Sequence, residues 1–424
     1  MMKKKIFVIG GGASGMAAAF WAARAGGDVT IFEHMDRVGK KLLSTGNGRC
    51  NLTNGYMADQ CFRSDNPDFP MKVIKKFGFQ DTIKWFSQMG LEVKDRQGYY
   101  YPVSDQASAV LDVLRMSLDE LGVKVICGFS VTSVKKTADG TWQITGAHGK
   151  GESGQTGQKT IKGDCVILAA GSRAAPSTGS DGSGYELARS LGHRVIPPLP
   201  ALVQLRCQGN YYKQLAGVRT DALLTLYAGD KEEARERGEL QLTDYGLSGI
   251  PVFQISRYAS KALDAQKRVV VKADFFPDRT LEETRRFLDS RKKRFPERAC
   301  QDFFTGLLNK KLSLVLLKLS GIRPTEPCSA ITKGQMDSLC RQLKGYQALV
   351  KSVNPFSNAQ VCCGGVDTKE INPDTLESRI QKGLYIVGEL LDVDGICGGY
   401  NLQWAWATGS LAGTAAAMGK EAGE

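Results

Sequence analysis

The sequence is poor in the residue patterns that build metal sites and disulfide frameworks. It has three histidines, His34, His148 and His193, and none of its 11 cysteines forms a CxxC pair or stands at metal-ligand spacing from a histidine. A metal site is therefore not expected, and neither is a disulfide scaffold. Scattered cysteines of this kind are typical of a reducing compartment, so the sequence predicts a cytoplasmic location.

Long apolar runs are also lacking. No stretch reaches the roughly 20 apolar residues that a membrane-spanning helix requires, so no membrane span is expected. The start of the chain, MMKKKIFVIGGGASGMAAAF, has basic residues followed by apolar ones. A glycine cluster interrupts this apolar stretch, and a second strand pattern follows it, so we interpret the start as part of the fold rather than as a signal peptide.

An excess of acidic residues is absent too, since the formal net charge is +12. The densest basic run, Arg291 to Arg294, ends the pattern LEETRRFLDSRKKRF, which is typical of the solvated face of an amphipathic helix. No nucleic-acid-binding motif surrounds this run, so a solvated face is favoured over a nucleic-acid partner. Attraction of an anionic small substrate is the alternative.

The strongest positive signal comes from two segments at opposite ends of the chain. The first, IFVIGGGASGMAAA, is an apolar strand followed by Gly10, Gly12 and Gly15 and a helix of small residues. These glycines allow a tight turn, a close approach to a pyrophosphate and close helix packing, while free amides at the helix start meet the phosphates. The next strand ends at Glu33, close to the spacing of about 20 residues expected for a ribose-binding acid. A carboxylate repels a 2′-phosphate, so Glu33 disfavours NADPH as the main occupant; an exposed acid at a strand end is the alternative.

The loop GKKLLSTGNGRCNLTN follows, and it is too rich in glycine and small polar residues for a regular helix or strand. Such a loop can lay backbone amides and polar side chains along a cofactor. We expect Lys40 and Lys41 to meet phosphate charge. The polar residues Thr45, Asn47, Arg49 and Asn51 are expected to meet the ribityl chain or the flavin ring. The alternative for each of these residues is that it only builds a turn.

The second segment, GLYIVGELLDVDGICGGYNLQWAWATGSLAG, returns to the same predicted site. An apolar strand ends at Gly388 and Glu389, where a carboxylate can accept hydrogen bonds from ribityl hydroxyls. Gly399 then precedes a helix whose N-terminus would stabilise negative charge on the pyrimidine part of a reduced flavin. The predicted cofactor contacts are Gly10, Gly12, Ala13, Ser14, Gly15, Glu33, His34, Lys40, Lys41, Thr45, Asn47, Gly48, Arg49, Cys50, Asn51, Val131, Ala170, Gly171, Gly388, Glu389, Gly399, Tyr400, Asn401 and Leu402.

The middle of the chain has a different pattern. Short β-like runs separated by turns, from Ala201 to about Pro277, predict a β-barrel or meander, and helical periodicity follows to about Lys344. A second GxGxxG is absent from this part, which argues against a dedicated NAD(P)H domain. We expect an FAD-binding domain (1–196 and 357–424), a barrel (197–277 and 346–356) and a helical subdomain (278–345).

The combined segments closely resemble the YhiN/BaiN family of FAD-dependent oxidoreductases, also described as aminoacetone oxidase-like, over nearly the full length. The motifs that carry the resemblance are GGGASG, the loop GKKLLSTGNGRCNLTN, GELQLTDYGLSGIPVFQIS, GGVDTKEINPDTLESR and the C-terminal segment. The resemblance implies an α/β fold: a discontinuous Rossmann-like FAD domain of the glutathione-reductase type with an inserted barrel, which itself carries a helical subdomain. Family members often have Thr-His where this chain has Thr243 and Asp244, and Thr at Cys362, so no catalytic histidine is carried over.

The resemblance also yields hypotheses for function. The first is reduction of an activated C=C bond of an enone, with a 3-oxo bile-acid intermediate as the sharpest specific form and NADH or NADPH as a transient electron donor. Hydride would come from flavin N5, and the candidate proton donors are Tyr400, Arg49 and Cys397. The alternatives are an amine oxidase that uses oxygen and a non-catalytic flavoprotein that binds RNA through its basic helical insert. A small-molecule substrate is expected, and the sequence leaves its identity and the oligomeric state open.

Overall fold

The computed structural model describes residues 3–148 and 157–419. The chain forms two compact units: one runs to Leu199 and resumes at Val361, and the other is Pro200–Gln360. Among the described residues, no helix combines the length and the apolar character needed to cross a membrane.

The first unit mixes strands and helices. Its strands are β1 (Lys5–Ile9), β2 (Asp28–Phe32), β3 (Thr53–Asn54), β4 (Phe62–Arg63), β5 (Val93–Arg96), β6 (Tyr99–Pro102), β7 (Lys124–Ile126), β8 (Phe129–Lys136), β9 (Trp142–His148), β10 (Lys159–Gly163), β11 (Cys165–Leu168), β12 (Val195–Ala201, which leads into the second unit), β19 (Val361–Val366), β20 (Leu384–Ile386) and β21 (Asp394–Gly395). Its helices are α1 (Ala13–Arg24), α2 (Lys40–Ser44), α3 (Phe69–Ile74), α4 (Phe79–Gln88), α5 (Ala107–Glu120), α6 (Ser183–Ser190) and α12 (Tyr400–Met418).

A five-stranded parallel sheet lies at the centre of this unit, in the order β20-β11-β1-β2-β7. Its strands β1, β11 and β20 are buried on both faces, as expected for near-continuous apolar segments, whereas the edge strand β7 is largely exposed. Ile9 pairs with Phe32 on one side and with Leu168 on the other, so three neighbouring strands end at one edge. In open parallel sheets, ligands bind at this carboxyl edge.

The second unit is a closed barrel with helices. The barrel order is β13-β16-β15-β14-β17-β18, and all described pairings in it are antiparallel. Its strands are β13 (Leu205–Cys207), β14 (Arg219–Ala228), β15 (Lys231–Leu242), β16 (Gly246–Ser248), β17 (Val269–Asp274) and β18 (Tyr346–Val353), and its helices are α7 (Tyr212–Leu215), α8 (Ile250–Asp264), α9 (Leu281–Arg294), α10 (Lys310–Leu319) and α11 (Lys333–Gly345).

The predicted fold class is confirmed: an α/β unit with a parallel sheet is interrupted by a barrel, and helices α9 to α11 are inserted between barrel strands β17 and β18. Thr280 begins the helical insert with a capping box, in which its hydroxyl accepts a hydrogen bond from the Glu283 amide. The finer domain boundaries stay predictions.

A buried histidine in the first unit predicts a pH dependence of stability. His193 Nδ1 lies 2.8 Å from Glu370 Oε2, and its Nε2 lies 2.8 Å from Ser378 Oγ. Burial lowers the pKa of His193 below its ordinary value of 6.5, against the opposing effect of Glu370. The unfolded chain then binds more protons than the folded one just below this value, so the free energy of unfolding is expected to fall as the pH drops below about 6.5.

Urea unfolding of the protein and of His193→Gln, from about pH 5.5 to pH 7.5, checks this expectation. The variant should lose stability at neutral pH and should depend less on pH over this range. An identical pH dependence in the two proteins would show that His193 does not titrate as inferred.

Candidate flavin site

The glycine loop after β1 is shaped by close backbone contacts. Gly10 has φ +105°, and a Cβ there would lie 2.5 Å from Ala169 O. A Cβ at Gly15 would lie 1.9 Å from Gly10 O, so α1 can pack this closely on the loop only with glycine at that position. By contrast, a Cβ at Gly12 would have no described atom within 4 Å, and no side chain caps the helix that Gly12 begins. The start of α1 therefore has free space at Gly12 and no side-chain cap, as an anion site requires.

Glu33 lies beside this loop and is buried. Its Oε2 accepts a hydrogen bond of 2.7 Å from the Gly11 amide, and its Oε1 accepts one of 2.8 Å from the Met35 amide. These bonds fix the carboxylate at the carboxyl edge of the sheet. Each oxygen keeps a further lone pair, so the predicted bonds to ribose hydroxyls are compatible with this arrangement. The neighbouring His34 is half-buried, with its Nδ1 3.7 Å from Glu33 Oε1.

A prediction follows for Glu33→Gln, which keeps the size of the side chain but places an amide NH₂ where one oxygen accepts a hydrogen bond. We expect the free energy of unfolding to fall by about 1–3 kcal/mol, because a buried backbone amide loses its acceptor. Affinity for FAD should fall about tenfold, which corresponds to about 1.4 kcal/mol. Urea unfolding of the flavin-free protein and titration with FAD measure the two effects. The exposed Glu239→Gln is the control, and a Glu33→Gln protein with wild-type values in both measurements would contradict the assignment.

Lys41 and Glu389 lie 348 residues apart in the chain and form an ion pair. Lys41 Nζ is 2.6 Å from Glu389 Oε2, and both side chains are largely buried. Ser172 Oγ donates to the same carboxylate oxygen at 3.0 Å. The predicted phosphate-binding lysine and the predicted ribityl-binding acid thus neutralise each other's charge. Lys40 is paired as well, with Asp36 one turn earlier.

The strand β20 leads to Gly388, which is held on three sides. Its φ is +67°, and a Cβ there would lie 2.4 Å from Ser14 Oγ. Its amide donates to Thr408 Oγ1, and its carbonyl accepts from Trp404 Nε1, both at 3.0 Å. The end of β20 is thereby joined to both α1 and α12.

The start of α12 has an unusual polar environment. Gly399, with φ +93°, precedes the helix, and no side chain caps it. A Cβ at Gly399 would lie 2.8 Å from Thr53 O and 3.0 Å from Asn51 Oδ1, so a larger residue does not fit. Asn51 is 9% exposed, and its Oδ1 has no hydrogen-bond partner in the described part of the chain. A buried polar atom without a partner beside an uncapped helix start is what a polar ligand at this point would explain.

Helices α1 and α12 lie side by side and run in the same direction. A Cβ at Gly409 would be 2.5 Å from Ser14 O, and one at Gly413 would be 2.2 Å from Ala18 O. From this register, α12 begins about eight residues, or about 12 Å, beyond the start of α1. The two uncapped N-termini therefore point in the same direction and are offset from each other along the helix axes. This arrangement fits FAD, whose pyrophosphate is anionic and whose flavin pyrimidine becomes anionic on reduction, with the ribityl chain between them.

The remaining predicted contacts fall into two groups. Thr45 and Asn401 have polar groups engaged within the protein: Thr45 Oγ1 donates to Leu42 O, and the Asn401 side chain bonds to both backbone groups of Gly395. Cys50 is fully buried, and burial raises the pKa of its thiol to about 12, against a hydrogen bond from Thr45. The others are exposed or half-buried and lie in the first turns of α1 and α12, in strand β8 or in the segments after α2 and β11: Ala13, Asn47, Gly48, Val131, Ala170, Gly171 and Leu402.

The three candidate proton donors differ in their surroundings. Tyr400 is 4% exposed, with its ring edge against Phe62. Burial raises the pKa of Tyr400, and a hydrogen bond with the Cys61 thiol adds to this effect. Arg49 is exposed and Cys397 is half-buried. Burial therefore keeps the Tyr400 hydroxyl protonated at neutral pH, and it also makes this hydroxyl a weaker acid than an ordinary tyrosine.

Sequence reasoning missed a polar residue that organises the site. Gln403 is fully buried; its Oε1 accepts hydrogen bonds from Thr53 Oγ1 at 2.6 Å and Thr82 Oγ1 at 2.8 Å, and its Nε2 donates to Phe77 O at 2.9 Å. These bonds hold the first turn of α12 against β3 and α4. A lone glutamine within the apolar run LQWAWA was the available signal.

Comparison with known proteins places this site in a family. The model of the HI0933-like protein Rossmann domain matches residues 4–415. The chain is 48% identical, over 97% of its length and 99% of the relative's, to the 3-dehydro-bile acid delta(4,6)-reductase of Clostridium scindens. It is also 28% and 29% identical to the ribosomal RNA dihydrouridine synthases of Haemophilus influenzae and Escherichia coli, over 95% of every chain concerned. The chain therefore belongs to the HI0933-like Rossmann family, as the resemblance to YhiN/BaiN proteins predicts, and is an FAD-dependent oxidoreductase.

Proposed function

We propose that this protein reduces a C=C bond conjugated to a carbonyl in a 3-oxo bile-acid intermediate, with NADH or NADPH as the electron donor. The observation that carries the proposal is the 48% identity to a reductase of 3-dehydro bile acids, which extends over nearly the whole of both chains. The more distant relatives support the same bond chemistry. Dihydrouridine is uridine saturated at a C=C bond next to a carbonyl, so both kinds of relative are named for reduction of an activated double bond.

When bound, FAD supplies the hydride from its reduced ring. The chain contributes binding, orientation and a proton. The amides at the start of α1 and the Glu33 carboxylate would hold the adenosine and pyrophosphate end, while Asn51 and the start of α12 would hold the flavin end. Among the predicted proton donors we favour Tyr400, because it begins α12 directly after Gly399, at the uncapped helix start. Arg49 and Cys397 are the remaining candidates.

A transient NAD(P)H donor agrees with the lack of a second GxGxxG in residues 201–353, the middle part of the sequence. A dinucleotide that only delivers electrons has no need of a dedicated domain. The test also compares NADH with NADPH. Glu33 is assigned to the FAD site, so its charge does not predict which of the two is the electron donor.

The experiment uses the purified yellow protein without oxygen. NADH or NADPH is added, and the loss of flavin absorbance is recorded as the flavin becomes reduced. A 3-oxo-Δ4 or 3-oxo-Δ4,6 bile acid is then added. We expect the yellow colour to return and the steroid to gain two hydrogens for each bond reduced, as measured by mass spectrometry. The matched control is the 3-oxo bile acid without a ring double bond, which should leave the flavin reduced.

Two further substrates test the alternatives: an amine that would reduce the flavin, and an RNA that would accept its electrons. Aminoacetone with oxygen, followed by peroxide release, tests the amine oxidase hypothesis, although no relative named above is an amine oxidase. Ribosomal RNA lacking dihydrouridine tests the activity for which two relatives are named. Peroxide release that depends on aminoacetone, or flavin reoxidation by the RNA, together with no reoxidation by the steroid enones, would overturn the proposal.

A further inference from the structure

The tip of the helical insert concentrates positive charge around one aromatic ring. The guanidinium carbons of three arginines lie close to the centroid of Phe295: Arg298 at 3.9 Å, Arg294 at 5.4 Å and Arg291 at 5.6 Å. The segment from Arg291 to Arg298 contains five basic residues and one acid, Glu297. The solvated helix face predicted from the sequence explains exposed lysines here, but it does not explain three guanidinium groups on one ring.

The backbone presents this cluster in a fixed arrangement. Arg298 O accepts a hydrogen bond of 2.8 Å from the Cys328 amide, and Pro296 O accepts one of 2.8 Å from the Ser329 amide. Arg291 is held by its own side chain, which donates from Nε to Phe303 O at 2.5 Å and from Nη2 to Thr305 O at 2.8 Å. The residues around Phe295 are therefore anchored to the rest of the insert and do not form a free tail.

Two of the three guanidinium groups, those of Arg294 and Arg298, lack an acidic partner among the described residues. Within residues 3–148 and 157–419, neither Arg294 nor Arg298 forms an ion pair, and Glu297 pairs with neither of them. Burial lowers the pKa of Arg291, and the charges of Arg298 and Arg294 lower it further. A phenylalanine ring has two faces, so cation–π contacts account for at most two of the three groups. Arg291 is also bound to two backbone carbonyls and lies 6.0 Å from the Phe303 ring centroid, whereas Arg294 and Arg298 bring like charges together with no acidic partner among the described residues.

We propose that this arginine cluster, Arg291, Arg294 and Arg298 around Phe295, binds the phosphate groups of a polyanion. Guanidinium groups donate paired hydrogen bonds in a planar fork that matches phosphate oxygens, and a phosphate placed between them would offset their repulsion. The phosphates come either from a nucleic-acid backbone or from a free polyphosphate, since both present closely spaced anionic oxygens. This proposal is independent of the reaction at the flavin.

The test measures binding to the full-length, FAD-loaded protein with two probes: a fluorescein-labelled single-stranded uridine 12-mer and sodium tripolyphosphate. The test variant is Arg294→Gln with Arg298→Gln, two side chains that bond to no backbone carbonyl. The control variant is Arg219→Gln with Arg286→Gln, which removes the same charge from exposed arginines paired with glutamates. Flavin absorbance and far-ultraviolet circular dichroism confirm that both variants fold.

We expect the test variant to bind at least one probe about tenfold more weakly than wild type, with a smaller salt dependence, and the control to change less than about threefold. Binding of RNA that tripolyphosphate does not displace identifies a nucleic-acid backbone as the source of phosphate. Tight tripolyphosphate binding without RNA binding identifies a small polyphosphate. Equal weakening in both variants would show that only net charge matters, and wild-type protein that binds neither probe would also overturn the proposal.

Discussion

The variant Gly12→Leu is expected to be a folded protein that no longer retains FAD. Gly12 has no unusual backbone angle, and a Cβ at this position meets no described atom within 4 Å, so leucine fits the flavin-free fold. The same side chain would stand in front of the amides that begin α1, where the pyrophosphate must approach. We expect the affinity for FAD to fall at least about 100-fold, which corresponds to about 2.7 kcal/mol. FAD titration followed by flavin fluorescence measures this loss.

The matched control for this prediction is Gly334→Leu. Gly334 lies in the first turn of α11, also without a described atom within 4 Å of an added Cβ. The Gly334→Leu substitution introduces the same side chain in the helical insert and should leave FAD binding unchanged. A Gly12→Leu protein that is purified with a full complement of FAD would refute the phosphate site. A lower unfolding midpoint of the flavin-free Gly12→Leu protein would show that leucine does not fit at this position, and would refute the explanation that it only blocks the cofactor.

Gly413→Val is expected to have the largest effect on stability. A Cβ at Gly413 would lie 2.2 Å from Ala18 O, and its neighbours are backbone atoms of α1 that cannot rotate away. Helices α1 and α12 must separate to admit the valine, so the free energy of unfolding should fall by about 3 kcal/mol. Because both uncapped N-termini belong to these helices, FAD retention should fall with it. Urea unfolding and the ratio of flavin to protein absorbance measure the two effects.

Thr414→Val places the same residue at the next position of α12 and serves as the control. Thr414 is half-buried, and its hydroxyl donates to Ser410 O within the helix. The control should lose no more than about 1 kcal/mol, the value of one such hydrogen bond. Similar losses in the two variants would mean that valine in this helix is harmful for another reason than the contact with α1.

Local sequence patterns predict the outline of the site. Gly10, Gly12 and Gly15 identify a strand followed by a helix, and the spacing to Glu33 predicts the acid at the next strand end. The structure places all four at one edge of the parallel sheet, with Glu33 bonded to the glycine loop. Such features could be predicted because they depend on backbone angles and on spacing within one βαβ unit. The roles of these residues toward FAD stay predictions.

Pairings between distant segments could not be predicted in the same way. Lys41 and Glu389 were both expected to contact the cofactor, yet the ion pair between them depends on the return of the C-terminal segment to the sheet. The hydrogen bonds of Gln403 could not be predicted for the same reason, since its partners Thr53 and Thr82 lie more than 300 residues earlier. Neither contact leaves a periodic signal in the sequence. The arginine cluster on Phe295 could not be predicted either, because α9 ends at Arg294, whereas the sequence pattern predicts that the helix continues through Phe295.

The most direct test of the account is a single turnover without oxygen. The FAD-loaded protein is reduced with a stoichiometric amount of NADH or NADPH, mixed with a 3-oxo-Δ4 bile acid, and followed by flavin absorbance in a stopped-flow instrument. The account predicts that oxidised flavin returns with the appearance of one equivalent of the saturated 3-oxo product. Flavin that stays reduced with every steroid enone, and is reoxidised only by oxygen, would contradict it.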